Sequence, residues 1–285
     1  MRRLPIPNID FKTSLSESIS GVANAIIRNN YHAQIANPAA IEAAFGASAQ
    51  AALLYSFPRI AHGIGDVAVH GSLTKSDLIK LYTQYFVPKE KPARRLYEQL
   101  KITANEKCPF CGDIGHVHTL DHYLPKANFP LYSVMPGNMI PCCRDCNSEK
   151  LNAFSATAEG QTLHPYFDDD KFFGQQWIYG RVIQGSPPVI EYYVCPPEYW
   201  SPEDKSRVIA HFIEYRLPKR FGVEAAADLP ETIMTRKSTL QNLSPKEYSD
   251  YLGEKSNNLN LPVNNWRRVM FSCLASDSWF CENNH

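Results

Sequence analysis

The chain lacks a net charge, a long apolar run and internal repetition. Its 285 residues carry 29 Lys and Arg against 29 Asp and Glu. This balance argues against indiscriminate binding to polyanions, so any nucleic-acid surface must be local. No apolar stretch approaches the length of a membrane span, and Met1–Pro7 lacks the apolar core of a signal peptide. These absences predict a cytoplasmic protein.

The N-terminal third is predicted to be mainly helical. With 44% hydrophobic and 12% aromatic residues, the chain can bury a real core. Residues 14–105 have mostly helical patterns, and Thr74–Asp77 has the form of a capping box that begins a helix. We therefore expect a helical region ahead of the central segment.

The C-terminal part is predicted to be a short hairpin followed by helices. Two β-like runs, Trp177–Ile183 and Val189–Val194, flank the turn residues Gly185–Pro188. Ser201 and Ser244 each precede a proline and acidic residues, a pattern typical of a helix start.

Two Cys-x-x-Cys pairs dominate the central segment. Their members are Cys108, Cys111, Cys143 and Cys146. Two thiolate pairs joined by a returning chain are typical of a closed tetrahedral zinc site. Cys142 could replace Cys143 as a ligand, but the two-residue spacing and the following asparagine favour Cys143. The remaining cysteines are predicted to be reduced thiols, namely Cys195, Cys273 and Cys281.

Polar residues that can do chemistry lie inside this loop or directly after it. They are Asp121, His122, Asn138, Asn147 and Lys150. A zinc ion on the four cysteines would fix their relative positions. His116 and His118 precede the Asp-His pair and could be ligands, but we treat them as ordinary strand residues.

The local patterns predict two strands and a helix around these residues. His116–His122 alternates polar and apolar side chains over part of its length, which indicates a strand ending in the Asp-His pair. Asn138–Ile140 is a short second strand after a Pro-Gly turn. The spacing in Arg144–Phe154 suits a helix that would carry Asn147 and Lys150 on one face.

In this order the residues resemble the zinc-knuckle subgroup of the HNH nuclease family, the ββα-metal group. The pattern is Cys-x-x-Cys, Asp-His-x-x-Pro-Lys, Asn and Cys-x-x-Cys-Asn-x-x-Lys, and it is matched between Cys108 and Lys150, with Pro125 and Lys126 completing the second element. The resemblance covers about 60 of the 285 residues.

The resemblance implies a role for each matched residue. His122 is implied to be the general base that takes a proton from the attacking water. Asp121 and Asn147 are implied to hold the catalytic ion, and Asn138 to orient His122. Lys150 falls where the family often has a basic residue near the phosphate.

Physical chemistry supports these roles. Hydrolysis of a phosphodiester needs a base for water and a cation to neutralise charge in the transition state. A histidine with an ordinary pKa of about 6.5 is largely neutral at physiological pH. The oxygen ligands of Asp121 and Asn147 favour a hard ion, Mg²⁺ or Mn²⁺.

We therefore expect an α+β protein with a small ββα-metal HNH core and a four-Cys zinc site between mainly helical flanks. The expected segments are residues 1–105, 106–168 and 169–285. The expected function is metal-dependent cleavage of DNA, with double-stranded DNA as partner, although the sequence does not separate DNA from RNA. By analogy, such proteins act in bacterial anti-phage or restriction systems beside an ATPase or sensor protein.

Three alternatives stay open at this stage. The chain could be a catalytically silent zinc-knuckle adaptor that binds nucleic acid or protein. His164 could belong to an auxiliary site or be a structural histidine. Lys89–Lys107 has six basic against three acidic residues, a balance of 6 − 3 = +3, and could be a nucleic-acid surface or a solvated helix face.

Overall fold

The computed structural model describes residues 1–61, 63–150 and 153–283. The chain divides into two compact units. The first consists of Arg3–Phe110 and Gly115–Asp168, and the second of Met1–Arg2, Cys111–Ile114 and Asp169–His285. Helices and small antiparallel sheets occur together in the chain, which confirms the predicted α+β class.

In its described residues the first unit contains six α-helices and two two-stranded sheets. The helices are α1 (Phe11–Ser20), α2 (Ala25–Gln34), α3 (Pro38–Gln50), α4 (Lys75–Lys80), α5 (Arg94–Ile102) and α6 (Arg144–Lys150). The strands are β1 (Ala68–His70), β2 (Leu73–Thr74), β3 (Thr119–His122) and β4 (Met139–Cys142). The β1–β2 pair lies inside the region that the sequence predicted to be helical.

Helix α4 begins at the predicted capping box and leads directly into a π-helical segment. The Thr74 hydroxyl accepts from the Asp77 N–H, and the Asp77 carboxylate accepts from the Thr74 N–H. The π-helical segment is Leu81–Phe86. The N–H of the residue that follows it, Val87, donates to the Tyr82 carbonyl at 3.0 Å, five residues back along the chain. Such wide turns are rare and are often found at functional sites.

Strands β3 and β4 form an antiparallel hairpin that differs in length from the prediction. The first strand begins at Thr119, three residues later than expected, and Asn138 lies in a 3₁₀ turn before the second strand. The second strand continues through Pro141 to Cys142, with Pro141 opposite Leu120. A proline is tolerated because each strand of a two-stranded sheet is an edge strand.

Helix α6 follows the hairpin, so the order strand, strand, helix is present. Its described part is Arg144–Lys150, shorter than the predicted helix to Phe154. Leu151 and Asn152 of that prediction lie outside the described residues.

Helix α5 packs on the hairpin through its apolar face. Leu96 and Leu100, four residues apart on one side of the helix, are fully buried, and the helix lies against both strands of the hairpin. Tyr97 lies on the same helix, and its ring makes an edge contact with Phe86 of the π-helical segment. This packing brings two elements from the predicted helical region next to the Asp-His pair.

In its described residues the second unit contains one hairpin and six α-helices. They are β5 (Ile178–Ile183), β6 (Val189–Val194), α7 (Lys171–Gly174), α8 (Pro202–Glu214), α9 (Leu217–Lys237), α10 (Pro245–Ser256), α11 (Trp266–Ser276) and α12 (Ser278–Glu282). The β5–β6 hairpin and the helix starts at Ser201 and Ser244 confirm the predictions. Within the described ranges, no helix has the length and apolarity that crossing a membrane requires.

Candidate active site

Four buried cysteines come together where β4 leads into α6. Their sulfur atoms all lie within 4.8 Å of one another, and they are Cys108, Cys111, Cys143 and Cys146. Four thiolates around a tetrahedral zinc, with Zn–S bonds of about 2.3 Å, would stand about 3.8 Å apart. The cluster could therefore hold a metal such as zinc.

Cys142 lies beside this cluster but is not a member of it. Its side chain is fully buried, and the thiol donates to the Cys143 carbonyl at 3.3 Å. Burial raises the pKa of this thiol. By contrast, the Cys143 sulfur accepts from the Cys146 N–H at 3.5 Å. The ligand register predicted from the spacing is the one found in the cluster.

Strand β3 places Asp121 and His122 side by side at the end of the hairpin. Asp121 stands opposite Ile140 and His122 opposite Met139. Both residues are only 5% exposed. Polar groups at this depth need bonding partners, and those partners determine what each side chain can do.

The imidazole of His122 is held in one tautomer. Its Nε2–H donates to the Ser133 carbonyl at 2.7 Å, and the Ser133 hydroxyl donates to the Leu78 carbonyl of α4 at 2.6 Å. Because a carbonyl oxygen can only accept, the proton sits on Nε2 and the lone pair on Nδ1. Burial lowers the pKa of His122 to about 3, and the charge of Lys126 acts in the same direction. The ring is therefore neutral at physiological pH.

The side chain of Asn138 forms hydrogen bonds with the backbone of the loop between β3 and β4. Its carbonyl accepts from the Leu124 N–H at 2.7 Å, and its amide donates to the carbonyls of Leu124 and Tyr132, both at 3.1 Å. Tyr132 directly precedes Ser133, whose carbonyl holds His122. The contacts of Asn138 thus reach the imidazole through the loop backbone.

Lys150 is buried beside strand β3, where it contacts Asp121 and His122. It is 2% exposed, and its ammonium donates to Asp121 Oδ2 at 2.8 Å and to the His122 carbonyl at 2.5 Å. Burial raises the pKa of the Asp121 carboxyl, and the charge of Lys150 is the largest opposing influence. Lys150 is therefore a counter-ion for Asp121.

A cavity of about 390 Å³ opens beside the Asp-His pair. It is lined by Tyr82, Val87, Tyr97, Thr119, Leu120, Asp121, His122, Pro125, Lys126 and Asn147. Asp121 and the half-buried Asn147 offer oxygen donors in this cavity, the kind that Mg²⁺ and Mn²⁺ prefer. The cavity is thus lined by a neutral imidazole, by the oxygen atoms of Asp121 and Asn147, and by the half-buried cation Lys126.

Comparison with known proteins identifies a full-length relative. No family model matches the chain, and no solved structure matches it significantly. The chain is 36% identical over 293 residues to protein ea31 of Escherichia phage lambda, and the match covers 98% of this chain and 99% of that protein. The chain belongs to the ea31 family. The name of the relative specifies no activity, so function has to be argued from the site.

Three other candidate histidines of this ea31-family protein, His116, His118 and His164, are not among the residues that line the cavity. His164 is 1% exposed, its Nδ1 accepts from the Tyr166 N–H at 3.2 Å, and its ring packs 4.2 Å from that of Tyr123. These contacts favour the structural alternative for His164. His116 and His118 are exposed.

Three residues that line the cavity received no role from the sequence. Lys126 belongs to the Asp-His-x-x-Pro-Lys pattern, and its ammonium stands 5.3 Å from the centre of the Tyr82 ring. Tyr82 also meets His122 edge to face at 4.4 Å. Tyr97 bonds Thr119 at 3.3 Å. Both tyrosines come from elements far upstream, so only tertiary packing brings them here.

The basic stretch Lys89–Lys107 of this ea31-family chain is partly neutralised by ion pairs. Arg94 bonds Glu98, Arg95 bonds Glu17 at 2.7 Å, and Lys101 lies 4.0 Å from Glu98. Half of the six cations are therefore paired with carboxylates. This pairing favours the solvated helix face over a dedicated nucleic-acid surface.

Replacing Asn138 with alanine should loosen the loop that holds His122. The change removes three hydrogen bonds, and at about 1 kcal/mol each the free energy of unfolding should fall by about 2–4 kcal/mol. Urea denaturation measures the loss. Asn128→Ala is the matched control, since Asn128 lies in the same loop but its side chain donates one bond, to the Ile60 carbonyl at 2.8 Å. A larger loss in the control would contradict this role for Asn138.

Proposed function

We propose that this protein is a metal-dependent endonuclease of the HNH type that hydrolyses phosphodiester bonds of DNA. One observation carries the proposal. A histidine with its Nε2–H fixed by the Ser133 carbonyl lies in the same cavity as the oxygen donors of Asp121 and Asn147. A base beside hard metal ligands is what metal-assisted phosphodiester hydrolysis requires.

In the proposed reaction, a side chain of the protein acts as the general base. His122 would accept the proton of the attacking water on Nδ1, because Nε2 already carries the proton that bonds Ser133. The Ser133 carbonyl then stabilises the imidazolium that forms, since it accepts the bond from Nε2–H throughout. Asn138 would keep the loop that carries Ser133 in place.

The catalytic ion would be held by Asp121 and Asn147. When bound, hydrated Mg²⁺ or Mn²⁺ would neutralise charge on the phosphate and polarise the leaving oxygen. Lys126 lines the same cavity and would attract the phosphate as a fixed positive charge. In this scheme Lys126 takes the position beside the phosphate that the sequence gave to Lys150.

The cysteine cluster would hold structural zinc. A closed set of four thiolates leaves no open position for substrate. Its task is then to fasten the junction of β4 and α6, where Cys143 lies between the two elements and Cys146 lies in α6, and so to hold Asn147 against the cavity. The strand, strand, helix order around this zinc is the arrangement that an HNH core would have.

The biological setting stays a prediction. Double-stranded DNA is the proposed substrate, and a role in anti-phage defence or restriction beside an ATPase or sensor protein rests on analogy. The similarity to a phage protein lends no support to a host-defence role. Zero net charge makes recognition depend on the groups around the cavity.

A second candidate is the catalytically silent zinc-knuckle adaptor. The observation that favours it is the burial of the Asp121–Lys150 ion pair, because a carboxylate already paired with an ammonium needs no metal. Nicking of supercoiled plasmid by the purified protein separates the two candidates. An adaptor leaves the plasmid intact at every Mg²⁺ or Mn²⁺ concentration.

Brief treatment with EDTA should abolish plasmid nicking without unfolding the protein. Oxygen-held ions exchange freely, whereas zinc in a closed thiolate shell is retained. Added Mg²⁺ or Mn²⁺ should restore nicking. The assay follows conversion of supercoiled to open-circular plasmid, with zinc content measured in parallel.

Asp121→Asn tests whether the restored activity depends on this carboxylate. Asparagine keeps the shape and an oxygen acceptor for Lys150, whereas alanine would leave the ammonium buried without a partner. The variant should keep its zinc but fail to recover nicking. Full nicking in EDTA, with zinc still bound, would contradict the proposed role of a hydrated cation.

A further inference from the structure

The ion pair between Lys150 and Asp121 is among the most deeply buried in the described residues. The side chains are 3% and 7% exposed, and the ammonium lies 2.8 Å from Asp121 Oδ2. Lys150 also donates to the His122 carbonyl at 2.5 Å and stands 6.0 Å from the centre of the Tyr123 ring. A lysine so enclosed acts only on the groups that it touches.

The ion pair offsets the electrostatic cost of burying the Asp121 carboxylate. A carboxylate at the depth of Asp121 is costly unless a positive charge stands beside it. A divalent ion could provide that charge, but the protein already provides it from α6. The same carboxylate also lines the cavity in which the ion is proposed to bind.

We propose that Lys150 is a resident counter-cation, which occupies one oxygen of Asp121 and weakens the binding of a divalent ion at that carboxylate until a phosphate enters the cavity. The proposal rests on the proposed nuclease function, since it concerns the same metal site. An ammonium on one carboxylate oxygen repels a second cation at the other. The negative charge of a phosphate offsets that repulsion, so ion and substrate bind together.

The role differs from phosphate contact in a way that can be measured without substrate. If Lys150 held the phosphate, its removal would leave the binding of a free metal ion unchanged. If Lys150 is the counter-cation, its removal frees both carboxylate oxygens and one repelling charge disappears. Metal affinity in the absence of nucleic acid should then rise.

The experiment measures Mn²⁺ binding by isothermal titration calorimetry with the full-length, zinc-loaded protein and no nucleic acid. The variant Lys150→Met replaces the ammonium with an apolar side chain of similar length. We expect its Mn²⁺ affinity to exceed that of the wild type by about tenfold or more. Lys126→Met is the matched control, because Lys126 lines the cavity but is only half-buried. It should raise the affinity less.

If Lys150→Met is too unstable for calorimetry, thermal denaturation provides a second measurement of Mn²⁺ binding. Mn²⁺ should raise the midpoint of this variant more than that of the wild type, since the ion replaces the lost charge. The double variant Lys150→Met, Asp121→Asn removes both charges, so it should be more stable than Lys150→Met without Mn²⁺ and should not respond to the ion.

An Mn²⁺ affinity of Lys150→Met that is equal to or below that of the wild type overturns the inference. An equally large gain in affinity in Lys126→Met also overturns it. So does a double variant whose thermal midpoint is no higher than that of Lys150→Met. These readouts do not use cleavage, so the two proposals can fail separately. If the protein nicks plasmid but its Mn²⁺ affinity does not depend on Lys150, the nuclease proposal is retained and the counter-cation proposal is rejected. Mn²⁺ binding in none of the proteins, with no nicking, rejects both.

Discussion

Replacing Cys108 or Cys146 with serine should remove the zinc and unfold the segment around the β3–β4 hairpin. The hairpin has four residues in each strand and α6 has seven, so this segment has little apolar core of its own. Structural zinc contributes an apparent folding free energy of about 10–16 kcal/mol in small zinc-binding units. This free energy is comparable to the whole net stability of a typical domain, about 5–15 kcal/mol, so the segment should unfold when the zinc is lost.

Metal analysis and limited proteolysis test this expectation together. Zinc stoichiometry should fall in both variants, and new cleavage sites should appear between β4 and the end of α6. Cys142→Ser is the matched control, because Cys142 is equally buried and adjacent in sequence but lies outside the cluster. A serine hydroxyl can still donate to the Cys143 carbonyl. Zinc retained in Cys143→Ser but lost in Cys142→Ser would show that the ligand register is wrong.

The sequence predicted those parts of the fold that depend on neighbours in the chain. The capping boxes at Thr74 and Ser244 form because their partners stand three residues away. The β5–β6 hairpin follows from alternation around a turn. The cysteine register follows from the two-residue spacing of the knuckle, which local backbone geometry imposes.

The boundaries around the site were less predictable because tertiary contacts decide them. Strand β3 begins at Thr119 although the alternation starts at His116, and His116 instead pairs with Lys107 in an isolated bridge. Both central strands are almost wholly buried, so alternation between faces carries little information there. The end of β4 at Cys142 was not predicted, because a proline usually marks the end of a strand and Pro141 lies within this one.

The partners of the site residues could not be predicted from the sequence at all. Lys150 and Asp121 are 29 residues apart, and no periodicity links a lysine on α6 to a carboxylate on β3. The same holds for Tyr82, which reaches His122 from a π-helical segment. The order of the motif residues indicates which groups are candidates for the reaction, whereas the charges and neighbours of those groups depend on how separate elements pack.

His122→Ala should reduce DNA cleavage by about 10²–10⁴, the usual contribution of a positioned general base. The change removes the nitrogen that is proposed to accept the proton of water and leaves Asp121, Asn147 and the cysteine cluster unaltered in sequence. Zinc content should be unchanged. The initial rate of plasmid nicking in saturating Mg²⁺ or Mn²⁺ measures the effect.

Because His122 is buried against Tyr82, alanine also removes packing, and this cost must be separated from the chemistry. His122→Gln separates them, since its amide can still donate to the Ser133 carbonyl but cannot act as a base at neutral pH. It should be more stable than His122→Ala in urea denaturation and equally inactive. His118→Ala, an exposed histidine just before the same strand, should cleave like the wild type. Cleavage by His122→Gln at the wild-type rate would remove His122 from the mechanism, because no proton acceptor would then remain at that position.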